Sequence, residues 1–198
     1  MSTVVAIFKD LDNVNRGVEA LNNQGISNSQ ISVMARENTF EALAHEKELK
    51  QEASEGVMTG AVGGASFGLF AGLIAGVGSL MIPGIGPVIA GSTLVTLLGT
   101  TAAGAGIGAV AGGAILGSLV KMGISQEDAN LYAEGVKRGG ILVTVDVPPE
   151  QVSLVTQTLN AAGAESTEAL RSKWQGEGWQ HFDSTTEPTA AYPTLTIM

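Results

Sequence analysis

From Gly56 to Val120 the chain carries no Asp, Glu, Lys, Arg or His, a run of 65 residues bracketed by Glu55 and Lys121. No other feature restricts the fold so tightly. A segment that long without a charge cannot form an ordinary solvated surface, so lipid or protein must cover its bulky side chains. Eighteen of the 27 glycines fall inside it. Glycine in a helix costs about 1 kcal/mol relative to alanine, so a set this dense calls for a compensating role.

The spacing supplies that role. Gly60, Gly64, Gly68, Gly72 and Gly76 recur every fourth residue. Ser92, Thr96, Thr100, Gly104, Gly108 and Gly112 do the same, with Ala105, Ala109, Gly113 and Gly117 as a parallel row. Small residues at this period let two helix backbones approach closely, as in membrane helix pairs. Helical spacing puts Phe67, Phe70, Leu73, Ile74 and Leu80 among the bulky residues left for an apolar outer face. Pro83, Gly84, Gly86 and Pro87 interrupt any helix. The expected element is therefore a helical hairpin with arms 57–82 and 88–120. The 26 residues of the first arm would extend about 39 Å, enough to cross a bilayer core.

The flanks predict one divided α+β domain. Val4 to Phe8 is a continuous apolar run, expected as a central strand. A helix over 13–23 with Val14, Val18 and Leu21 on one face follows, ended by Gly25. Residues 30–35 alternate and suit an edge strand. Beyond the apolar run, Ser125 to Asp128 reads as a helix start and Gly139-Gly140 as its stop. Residues 141–147 form a second central-type strand, Pro149 opens another helix ended at Gly163, and 165–170 suits a final edge strand. The order β-α-β, insertion, β-α-β is that of a split βαβ, ferredoxin-like domain formed by both flanks and interrupted by a long Gly-rich helical hairpin. The expected organisation is a first half at 1–37, a charged connecting helix at 38–55, the hairpin at 56–120, a second half at 121–172, and a partly disordered tail at 173–198. Trp174 and Trp179 in that tail suit membrane-interface anchors and packing of the tail on its own domain equally well.

Charge and composition exclude several functions. The net charge is −9, and neither flank has a basic patch, so nucleic-acid binding is not expected. There is no cysteine, hence no thiolate metal site or cysteine nucleophile. His45 and His181 are the only histidines and have no ligand partner at metal spacing. Gly106 to Ala111 fits G-x-G-x-x-A, but nothing acidic follows where a dinucleotide fold needs it. No catalytic residue, cofactor, metal or small-molecule substrate is expected. No basic segment followed by an apolar core opens the chain, which places its exposed parts on the cytoplasmic side.

The opening VVAIFKDLDNVNRGVEALNNQGI resembles the start of the bacterial general stress protein family, the YflT-type heat-induced stress domain. AVGGASFGLFAGL and AGAGIGAVAGGAILGSL are similar to the Gly-rich hairpin of low-temperature-induced and related stress proteins, and GGILVTV with Pro149 and Gly163 to their closing unit. The likeness covers about residues 3–172 and leaves out the tail. It implies a stress-induced protein without catalytic residues. Together with the charge-free run, it leads to a structural protein that embeds its hairpin in membrane lipid and associates with copies of itself. A soluble shell or filament, present as a large cytoplasmic assembly, is the alternative. A ligand-binding regulatory module, by analogy of fold alone, is a further one.

Overall fold

The structure, a computed structural model, describes residues 1–35, 79–82, 86–89 and 110–183. In chain order these form β1 (Ser2–Phe8), α1 (Leu11–Asn23), β2 (Ile31–Met34), β3 (Ser79–Ile82), β4 (Gly86–Ile89), α2 (Val110–Lys121), α3 (Gln126–Lys137), β5 (Ile141–Val147), α4 (Val152–Ala161) and α5 (Thr167–Gly176). Short 3₁₀ turns at Asn28–Gln30 and Pro149–Gln151 lead into β2 and α4. The fold is mixed α/β, with a three-stranded antiparallel sheet in the order β1-β5-β2 and five α-helices among the described residues. β4 and then β3 extend the sheet beyond β2.

Every residue of β5 is buried, because the sheet has helices on both faces. On one face, Val4, Ala6 and Phe8 of β1 join Val143 and Val145 of β5 in a core closed by α1 and α4. On the other, Ile7, Leu142 and Met34 lie beneath α2, α3 and α5. This double cover explains why Val4 to Phe8 reads as a central strand although β1 ends the sheet: its apolar run reflects burial of both faces, not a neighbour on both edges. β2 likewise lies between β5 and β4 rather than at an edge.

Local signals set the helix boundaries. The Asp10 carboxylate accepts from Asn13 N at 2.8 Å, and Ser125 and Ser166 cap α3 and α5 in the same way. Each helix ends on a left-handed glycine, for example Gly25 at φ 86° and Gly178 at φ 90°. Beyond each glycine the next amide bonds back to the last turn, as Ile26 N does to Leu21 O and Trp179 N to Trp174 O, which is the Schellman closure. In α5 this closure folds Trp179 back against Trp174, the two rings edge-on at 5.9 Å.

Three expectations are corrected. Residues 79–82, with Leu80, and 88–89 are strand rather than the inner ends of helical arms, and Gly86 and Pro87 of the expected break open the second of these strands. The run around Pro87 cannot propagate a helix; in the strand, Pro87 lies outside the ladder with β2, which covers Val88 and Ile89, and stands opposite Met81 of β3. The strand expected at 165–170 is the start of α5: Ser166 caps it, Glu168 occupies its first turn, and Leu170 and Trp174 share its buried side. All that remains beside β1 is one bond, Glu165 N to Ile7 O at 2.8 Å. Finally, the described part of the expected tail, 173–183, is folded, in line with packing of Trp174 and Trp179 on their own domain. Trp174 is fully buried, and Trp179 and Phe182 pack on the same core.

α3 approaches β1 closely at Gly135. A Cβ there would lie 2.0 Å from Ile7 Cδ1 and 3.4 Å from the Trp174 ring, and Ile7 and Trp174 are themselves fully buried. Gly135→Ala is therefore expected to destabilise the protein by about 1–3 kcal/mol through overpacking. Equilibrium urea unfolding checks this, and an unchanged midpoint would mean that α3 can lift away without cost.

Candidate functional site

α2 is the described end of the charge-free run, and it has two unlike sides. Ala114, Ile115, Ser118 and Leu119 are buried toward α3. Gly113 and Gly117 lie on the other side, where an added Cβ would meet nothing within 4 Å among the described residues. Val120 continues that side at 41% exposure. The result is an anchored helix whose outward side is smooth at Gly113 and Gly117 and carries a charge only at its last residue, Lys121. Gly112 belongs to the same helix. Gly60, Gly64, Gly68, Gly72, Gly76, Gly104 and Gly108, the break residues Pro83 and Gly84, and the outer-face residues Phe67, Phe70, Leu73 and Ile74 lie outside the described residues.

α3 joins this helix to the sheet and carries most of the charged groups inside the fold. Arg138 is buried, donates to Glu134 Oε1 at 2.7 Å and to Glu177 Oε2 at 2.6 Å, and lies 4.8 Å from the centre of the Trp174 ring. Burial alone would lower its pKa, but hydrogen bonds and attraction from Glu134 and Glu177 outweigh that and raise it. Arg171 of α5 pairs with Glu127 and, at 2.8 Å, with Asp128 at the start of α3. Lys137 Nζ donates to the Asp183 carbonyl at 2.7 Å, and Phe182 N donates to Asn130 Oδ1 at 3.2 Å. Tyr132 Oη reaches over the sheet edge to Val5 O at 3.1 Å. Its pKa is pushed up to about 12, by burial first and then by the negative charge of Asp128, with Arg171 opposing.

A smaller polar patch lies across the strands. Thr3 Oγ1 donates to Asp146 Oδ1 at 2.6 Å, and Gln30 Nε2 donates to Asp146 O at 2.9 Å. The buried Ser32 and Thr144 face each other in the β2–β5 register. These groups tie strand ends together. Among the described residues no three His, Asp or Glu side chains are grouped to hold a metal ion. No helix of the described residues is long and apolar enough to cross a membrane.

Sequence reasoning singled out the glycines of α2 but passed over Glu134, Arg138, Arg171 and Glu177. Glu134 and Arg138 stand at i,i+4, the spacing of a helical ion pair. That pattern identifies a pair without indicating that it is buried, since residues 173–183, which include Trp174 and Glu177 against Arg138, were expected to belong to a partly disordered tail. Compared with known families, curated proteins and solved structures, the chain matches none.

Proposed function

We propose that the chain is a non-enzymatic, stress-type structural protein that self-associates through its Gly-rich segment and embeds that segment in a membrane. The observation that carries this reading is α2, held to α3 by one side while Gly113 and Gly117 leave the other smooth and free of charge up to Lys121 at its end. A helix of that form suits close packing against a second small-residue helix. The antiparallel order β1-β5-β2 supports a split βαβ domain whose fourth strand is reduced to the Glu165–Ile7 bond. In this reading the Gly-rich segment is the insertion between the two halves.

One observation favours the soluble-assembly reading. β4 pairs with β2 through Val88 and Ile89, which holds the Pro-Gly break at the domain's own sheet rather than at the far end of a spanning hairpin. Alkaline carbonate washing of membranes that contain the native protein separates the two. Retention in the pellet supports embedding, whereas quantitative release with large particles in lipid-free buffer supports soluble assembly. Gly68→Leu and Gly108→Leu are expected to abolish self-association in either case, because a leucine at the contact forces the arms apart. Particle size by light scattering checks it, and parent-like particles from both variants would remove the glycine contact from the mechanism.

A further inference from the structure

Among the described residues, the segment 167–183 is held mainly through α3 and its cap residue Arg138. The apolar anchor is Trp174, fully buried and adjacent to Gly135 at the α3–β1 seam, with Leu170 buried beside it on the same helix. Around this anchor run the polar fastenings: Arg171 to Glu127 and Asp128, Glu177 to Arg138, the Asp183 carbonyl to Lys137, and Phe182 N to Asn130. The core between the sheet and α1/α4 contains no residue of 167–183. The sheet ladders do not use them either. Removing this segment therefore leaves one whole face of the sheet intact.

Its docked state is also imperfect. Trp174 Nε1 and Trp179 Nε1 are both buried and have no hydrogen-bond partner among the described residues. Buried indole donors ordinarily find one, and release into water would satisfy both. The Arg171–Glu127 pair at the margin is solvated, with Glu127 at 75% exposure, and holds weakly, whereas Glu177, at 40%, reaches the buried Arg138 and holds more.

From these observations we infer that residues 167–183 form a releasable strap, which undocks from α3 as a unit while the sheet and its α1/α4 face persist, uncovering the apolar seam around Ile7 and Gly135. The strap acts as a latch on the helix that joins the smooth-sided α2 to the sheet. It rests on contacts separate from those behind the proposed self-association, so either can fail without the other.

Hydrogen exchange on the full-length protein under native conditions tests it. Strap amides at 168–178 are expected to exchange roughly a hundredfold or more faster than those of β5, as a sub-global opening does. The protein's two tryptophans both lie on the strap, so tryptophan emission, excited selectively over Tyr132 and Tyr192, reports its state alone. In the parent, emission should be that of buried indole. In Arg171→Gln/Glu177→Gln it should shift to the red, with increased binding of a hydrophobic dye and unchanged protection of β5. A common exchange rate for strap and β5 in the parent would overturn the latch, and so would parent emission already typical of exposed indole. If the double variant does not fold, the parent exchange rates still decide.

Discussion

Phe8→Ala is expected to lower the unfolding free energy by about 3–5 kcal/mol, the usual loss for truncating a fully buried aromatic. Phe8 is 0% exposed and stands where β1, α1 and α4 meet, beneath Gly17 and its contacts Leu159 and Ala162. A domain of this size commonly has only about 5–15 kcal/mol in total. The loss should therefore appear in every probe at once: urea midpoint, far-UV dichroism and exchange of β5. Trp174→Ala removes even more buried surface but from the other face. Its damage is bounded by the free energy that docks the strap, since an undocked strap has nothing more to lose. If Trp174→Ala lowered β5 protection as much as Phe8→Ala, the two faces would form one cooperative unit. If Phe8→Ala left the urea midpoint unchanged, the α1/α4 face would not be the foundation of the fold.

That difference between the faces was only half legible in the sequence. The α1/α4 side could be read because its signals are local. Val14, Val18, Leu21 and Gly25 mark an amphipathic helix and its stop, and Val143, Val145 and Val147 mark a strand. The α5 side could not, because its decisive facts are long-range. Residues 165–170 are a short stretch on which strand and helix periods compete, and the Ser166 cap that decides between them becomes meaningful only once Leu170 and Trp174 have a surface to cover. Gly178 followed by Trp179 is a readable helix stop. What the sequence does not say is that the closure would bring Trp179 edge-on against the indole on which Arg138 stacks. The candidate site divides the same way. Gly113 and Gly117 were found by spacing, and the structure adds which side of α2 is anchored. The Pro83–Pro87 break was legible as a break, but its partner was not, because pairing between Val88 and Met34 spans more than fifty residues and leaves no local trace.

Breaking the buried ion pair of α3 is expected to match the largest core truncation. Glu134→Leu removes the carboxylate that holds Arg138 Nε at 2.7 Å, with both side chains 5% exposed. A guanidinium cannot shed its charge in response, and Glu177, at 40% exposure, is the only other carboxylate paired with it among the described residues. Stranding a buried charge in this way costs about 3–5 kcal/mol. Replacing both partners by apolar side chains removes the charge together with its need for compensation, so Glu134→Leu/Arg138→Met should regain most of the loss. Recovery should fall short of complete, because methionine also gives up the guanidinium–Trp174 contact, worth about 0.5–2 kcal/mol. Urea unfolding of the two single variants and the double variant closes the thermodynamic cycle. Strong non-additivity, with the double variant more stable than Glu134→Leu alone, identifies the pair as a charge that must be satisfied where it lies. Additive losses would mean instead that Arg138 moves to solvent when Glu134 is gone. In that case Trp174 emission should shift to the red in Glu134→Leu, since the guanidinium stacked on that ring could leave only by lifting the strap.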